Sequence, residues 1–162
     1  MVFVYVYYVL LALALVYGLY FSLTGLWAFL PRKKEVAPKK PDHKNRFAVI
    51  IAARNEAGVI GALIDSLHAQ SYDPACFTVF VAVNHCTDNT ADVARTHGAE
   101  VIDCPDSVRS KGDVLKIVFS RLQKEADFDA YAIFDADNIV HPDFLSEMND
   151  VLNRGALVAQ CR

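Results

Sequence analysis

No charged side chain occurs before Arg32, and no basic residue lies within Met1 to Tyr8. The first absence excludes an ordinary surface helix, which needs a polar face. The second, with the length of the apolar run, excludes a secretory signal peptide, which wants a basic start and a short core. A helix buried in a soluble core would rarely run so far without a charge. None of the four cysteines, Cys76, Cys86, Cys104 and Cys161, has C-x-x-C spacing. This argues against zinc and dithiol redox motifs and leaves reduced thiols in a cytosolic domain. No G-x-G-x-x-G follows the first apolar run after the linker, which disfavours a dinucleotide enzyme. Tryptophan occurs once, as Trp27.

What is present begins with the uncharged run. As a helix, about 30 residues extend roughly 45 Å, against a hydrocarbon core of about 30 Å. Residues 1–30 are therefore read as a transmembrane anchor. Tyr5, Tyr7 and Tyr8 near one end and Trp27 near the other suit interfacial belts. Residues 31–46 form a basic linker. Three prolines lie between Pro31 and Pro41, and the segment from Arg32 to Arg46 carries seven basic and two acidic side chains. Its net +5 contrasts with −3 for the whole chain. Basic residues beside a span mark the cytoplasmic end, with anionic lipid head groups as their partner. The acidic remainder argues against nucleic acid.

Beyond the linker the pattern becomes regular. Phe47–Ala53, Phe77–Val83 and Ala130–Phe134 are apolar runs suited to strands buried on both faces, and Val101–Ile102 is a shorter one. Helices are expected over 58–70, 90–97 with Gly98 as a stop, 111–124, and 142–154 with Gly155 past the end. Ser71–Pro74 reads as a turn and Leu157–Ala159 as the start of another strand. Strands alternating with helices predict an α/β fold with a mostly parallel sheet. Ligands of such sheets bind beyond the carboxyl ends of the strands.

Polar motifs follow the strands. Asp135-Ala136-Asp137 ends the apolar run at 130–134. In extended chain, residues two apart share a side. Two carboxylates held together call for a positive partner, and a hard divalent cation is the natural one. Arg54-Asn55-Glu56 offers a cation and a carboxylate after the first run. In the segment 84–90, Asp88 or Asn89 is placed to cap the next helix. Ser110-Lys111-Gly112 opens a helix whose first N–H groups suit an anion. Taken singly, each could be a solvated turn.

The series Ala53-Arg-Asn-Glu56, Cys86-Thr-Asp-Asn-Thr90, Lys111-Gly112 and Asp135-Ala-Asp137, in this order, resembles the nucleotide-sugar half of the family 2 glycosyltransferases. The resemblance covers residues 47–162. It implies the GT-A, Rossmann-like nucleotide-diphospho-sugar transferase fold as an α/β/α domain, incomplete at Arg162. It also implies sugar transfer, with inversion, from a nucleotide-diphosphate sugar, a UDP-sugar foremost, to a lipid or glycan acceptor. Ala53, Arg54, Asn55 and Glu56 would line the nucleotide, with Glu56 near base or ribose. Position 84 would read the base, and Lys111 would contact the nucleotide. Asp135 would lie near ribose and metal, and Asp137 would bind Mg²⁺ or Mn²⁺. The chain departs from the family at Ala52 (often Pro), at Asn84 (usually Asp) and at His85 (often Asn). With Trp27 the only tryptophan, the family's Gln-x-x-Arg-Trp motif is absent. The catalytic base is expected beyond Arg162, so the chain by itself is expected to be inactive.

Two other classes compete. A phosphohydrolase could use Asp-x-Asp as nucleophile and acid, but that motif usually follows the first strand. A non-catalytic, membrane-anchored nucleotide-binding remnant fits the same residues. The charge pattern predicts an external N-terminus with everything from Phe47 onward in the cytoplasm. Protease should therefore cleave the globular part in inside-out vesicles and spare it in sealed cells, the opposite result refuting the orientation.

Overall fold

The computed structural model describes residues 1–28, 43–125 and 127–160. The linker at 31–41, with Arg32, Lys33, Lys34, Lys39 and Lys40, lies outside them, as do the Trp27 side chain, Cys161 and Arg162. The chain divides into two compact units, Met1–Val36 and Ala37–Arg162.

The first unit is helix α1, Val2–Ala28. Its segment Val2–Leu26 is long and apolar enough to cross a membrane, and none of it is buried within the protein. Large apolar side chains project on every side. A helix apolar all round needs a protein interior or lipid around it. One of its polar groups is satisfied locally: the Thr24 hydroxyl donates to the Tyr20 carbonyl at 2.9 Å. That economy is what a hydrocarbon environment demands.

The second unit alternates strands and helices. In chain order these are β1 (Phe47–Ala53), α2 (Ile60–His68), β2 (Phe77–Val83), α3 (Thr90–Thr96), β3 (Glu100–Asp103), α4 (Lys111–Glu125), β4 (Ala130–Asp135) and α5 (Phe144–Asn153). The four strands form one parallel sheet in the order β3-β2-β1-β4. Alternate β1 side chains point to opposite faces. Val49 and Ile51 join Ile60, Leu63, Leu67 and Leu145 from α2 and α5. Ala48 and Ile50 join Val114, Val118 and Leu122 from α4. The result is the expected α/β/α arrangement.

Register brings the carboxyl ends together. Ala53 stands opposite Val83, Ala52 opposite Asp135, and Val83 opposite Asp103. The chain's entry to this unit is fixed by amides. Asn45 Nδ2 donates to Asn149 Oδ1 (2.7 Å) and to Asn153 Oδ1 (3.1 Å). Tyr72 donates its hydroxyl to the Asn45 carbonyl at 2.8 Å, and burial pushes this phenol up to about 12.

The structure departs from the sequence expectations in several places; the helix expected over 58–70, for one, spans only Ile60–His68. The helix expected from 142 begins at Phe144, because the Pro142 carbonyl accepts from the Ser71 amide at 2.8 Å. Buried Gln70 supplies the missing cap, its Oε1 accepting the Leu145 amide at 3.0 Å. Leu157–Ala159 forms no strand. Leu157 is 96% exposed and its backbone joins no ladder, without which extended apolar chain is not a strand. Finally, β4 is only half-buried despite its sequence AYAIFD, with Ile133 47% exposed. Among the described residues its outer edge has no neighbour.

Ile51→Ala should lower the unfolding free energy by about 2–5 kcal/mol, as large-to-small changes in a closed core do. Leu157→Ser should change it by less than about 0.5 kcal/mol, as at an exposed site. Urea titration of the full chain in detergent, followed by circular dichroism, compares the two.

Candidate functional site

Loops leaving β1, β2 and β4 and the start of α4 meet at one end of the sheet. The first two loops are stitched together. Asn55 Oδ1 accepts the Thr87 amide at 2.7 Å. The Thr90 hydroxyl accepts the Glu56 amide at 2.9 Å and donates to Asp88 Oδ1 at 2.5 Å. Asp88 also accepts the Thr90 amide (3.1 Å) and the Ala57 amide (3.2 Å). The expected capping role thus falls to Asp88; Asn89 makes no side-chain cap. Thr90 is fully buried, whereas Asp88 on the other side of the latch is exposed.

Both loop tips are bent backward. Asn55 has φ 58° and His85 φ 51°, a region that costs most side chains about 1–2 kcal/mol. Asn tolerates it. His85 is held by Nε2, which donates to the Val108 carbonyl at 2.9 Å.

Asn84 sits just past β2, its amide donating to the Ala53 carbonyl at 3.2 Å. Its side chain is 8% exposed, and Oδ1 meets no donor among the described residues. A buried acceptor without a partner costs about 1–3 kcal/mol. Such a cost is offset where a ligand N–H completes the bond.

Across the sheet, Lys111 opens α4 and its Nζ pairs with Asp135 Oδ1. Both side chains are exposed. Ser110 and Asp113 cap that helix reciprocally: Asp113 Oδ2 accepts the Ser110 hydroxyl at 2.8 Å, and Ser110 Oγ accepts the Asp113 amide at 3.2 Å. The Ser110 hydroxyl holds the Asp113 carboxyl below the usual aspartate range. The helix start is therefore partly self-capped and less open to an anion than its sequence suggests.

The chain turns at Ala136-Asp137 instead of continuing extended. The period-two argument for paired carboxylates thus stops at Asp135. Asn138 builds the turn, its Oδ1 accepting the Asp135 amide at 3.1 Å and its Nδ2 donating to Asp137 Oδ1 at 3.4 Å. Among the described residues, no three His, Cys, Asp or Glu side chains group to hold a metal.

Of the residues singled out by sequence, Asn84, Lys111 and Asp135 present functional atoms at this end, and Arg54 and Asp137 are exposed there. Ala53 and Asn55 are frame residues, their oxygens taken by neighbouring loops. Thr90 and Asn138 were not singled out individually. Their signal was Asp88-x-Thr90 and Asp135-x-x-Asn138, short-range patterns of side chains that bond nearby backbone.

A family model described as Glycosyltransferase like family 2 matches residues 43–162. Protein RfbJ of Shigella flexneri is 32% identical over 122 residues, covering 74% of this chain and 88% of that protein. The mannosyltransferase PcManGT from Pyrobaculum calidifontis, solved with GDP-Man and Mn²⁺, superposes with TM-score 0.61 at 20% identity. It covers 83% of this chain, which spans 38% of that one. S. aureus TarS 1–349 with UDP-GlcNAc superposes with TM-score 0.55 at 21% identity, covering 64% of this chain and 30% of its own.

Thr90→Val keeps the volume but takes the acceptor from the half-buried Glu56 amide, while the exposed Asp88 carboxylate turns to water, and should cost about 0.5–1.5 kcal/mol. The bond from Thr90 also holds the Asp88 carboxyl below its usual range. Such a group adds stability above the ordinary aspartate value and loses it as pH falls through the lower folded value. Wild type should therefore lose more stability than Thr90→Val on acidification below about pH 4, measured by denaturation at matched pH.

Proposed function

The chain belongs to the family 2 glycosyltransferases, and from that premise we propose that it binds the nucleotide-diphosphate sugar donor of a membrane-bound transferase. The observation that carries this reading is the buried, unpartnered Oδ1 of Asn84 at the ligand end of the sheet. A nucleobase N–H is the donor it lacks. Asn84 keeps the acceptor that a carboxylate would offer but not its charge.

The other residues divide the remainder of the donor. Glu56, on the loop latched to Thr90, would lie near the base or ribose. Lys111 supplies a positive charge for the diphosphate, and Arg54 a second one at the rim. Asp135 and Asp137 would hold Mg²⁺ or Mn²⁺. The donor set fits: both are hard oxygen ligands, and Asp135 already accepts a cation in the Lys111 ammonium. Bound there, the ion would act as a Lewis acid on the leaving diphosphate. GDP-Man with Mn²⁺ in PcManGT and UDP-GlcNAc in TarS support the donor class.

The acceptor hydroxyl of a lipid or glycan attacks the anomeric carbon with inversion, its proton going to a base outside the residues assigned here. Helix α1 carries the domain at the membrane with the active site on the cytoplasmic side. UDP-sugars are the first donors to test.

Wild type should bind UDP with a clear gain on adding Mn²⁺, and Asp137→Asn should lose that gain. Calorimetry on the full chain in detergent, with and without Mn²⁺, decides the point; identical metal-independent binding in both proteins removes the metal from the reading. Asn84→Asp should tighten UDP by on the order of 1 kcal/mol, since a charge-assisted bond is stronger. The same change buries an unpaired carboxylate, so the nucleotide-free protein should melt earlier. Unchanged affinity would take Asn84 out of base recognition.

A further inference from the structure

We propose that Lys111 is a placeholder cation. It occupies the Asp135 carboxylate in the nucleotide-free protein and moves to the donor's diphosphate on binding, so that the metal enters only with the nucleotide. The proposal rests on the donor-binding reading above and adds an order to it.

The frame around the pair is fixed while the pair itself is free to exchange. Lys111 is the first residue of α4, whose start is held by the Ser110–Asp113 cap. Asp135 ends β4, paired through Ala52 to β1, and its amide is bound by Asn138. Both backbones are held by these bonds, so an exchange of partners falls to the side chains, the long lysine foremost. Its side chain is 46% exposed and that of Asp135 67%. An exposed ion pair is weak enough for a diphosphate to compete away. The nearby Asp113 carboxylate does not draw Lys111 off, being engaged by Ser110.

The metal side gives the same order. Among the described residues no third acidic, histidine or cysteine ligand joins Asp135 and Asp137. A hard divalent ion takes six or more oxygens, and these two carboxylates leave most of them to water or phosphate. With Lys111 on Asp135, an arriving ion also meets a positive charge at its own ligand. Nucleotide binding removes both obstacles: diphosphate supplies oxygens and takes the lysine. By linkage, Mn²⁺ and nucleotide must then tighten one another by the same factor.

The test uses the full chain in detergent micelles, with free Mn²⁺ counted by electron paramagnetic resonance. Wild type, Lys111→Met, Lys111→Arg and Asp135→Asn are titrated with and without UDP, GDP replacing UDP if only it binds. Without nucleotide, Lys111→Met should bind Mn²⁺ about fivefold more tightly than wild type, the effect of one screened charge at contact distance. Lys111→Arg keeps the charge and should stay as weak as wild type. Asp135→Asn should bind Mn²⁺ poorly in either state. The enhancement of Mn²⁺ binding by nucleotide should be smaller in Lys111→Met than in wild type. Equal Mn²⁺ affinity of wild type and Lys111→Met without nucleotide, while wild type still binds nucleotide with Mn²⁺, overturns the placeholder and spares the donor reading. Failure of wild type to bind either nucleotide overturns both.

Discussion

Strand β1 is paired on both edges and covered on both faces, and the ligand end of the molecule inherits its position from that enclosure. All seven of its residues are in register with β2 on one side, and Phe47 to Ala52 with β4 on the other. Once Ala53 is placed, Asn84 is placed through a backbone bond, and the two following loops are drawn into contact. The Thr90–Asp88 latch then fixes those loops at short range. A strand this enclosed leaves no slack, because a one-residue slip would turn every core side chain to the wrong face. The functional atoms therefore need not be rigid themselves; they stand on elements that are.

Two kinds of residue share the motifs. Asn55, Asp88, Thr90 and Asn138 spend their polar atoms on backbone and hold loops in shape. Asn84, Lys111 and Asp135 keep theirs directed at one another or at nothing. The division follows burial and backbone demand. Loops that reverse direction behind a parallel sheet expose amides that something must satisfy, and short polar side chains do it locally.

The sheet, its helices and the apolar anchor helix were legible in sequence because hydrophobic period and run length are local signals. The α/β class followed from their alternation. What was illegible depended on partners far along the chain. The start of α5 was misplaced by two residues because Ser71 claims the Pro142 carbonyl and Gln70 caps the helix from 75 residues away. Leu157–Ala159 looked like a strand because apolar composition is visible and a missing ladder partner is not. At the site, Asp135 and Lys111 were identified separately, but nothing in the sequence told that they pair across 24 residues. The extended geometry that would pair Asp137 with Asp135 ends at Asp135, two residues earlier.

The open side of β4 has a practical bearing on handling the protein. Detergent will coat α1, since its exposed surface is hydrocarbon. It offers nothing to a strand edge that no other strand pairs with among the described residues, beside partly exposed side chains such as Ile133. Edges of that kind recruit other strands. Self-association that persists in well-formed micelles would thus arise by sheet continuation between globular parts, and adding more detergent would leave it unchanged, whereas a lysine or proline placed on the outer edge of β4 would disperse it.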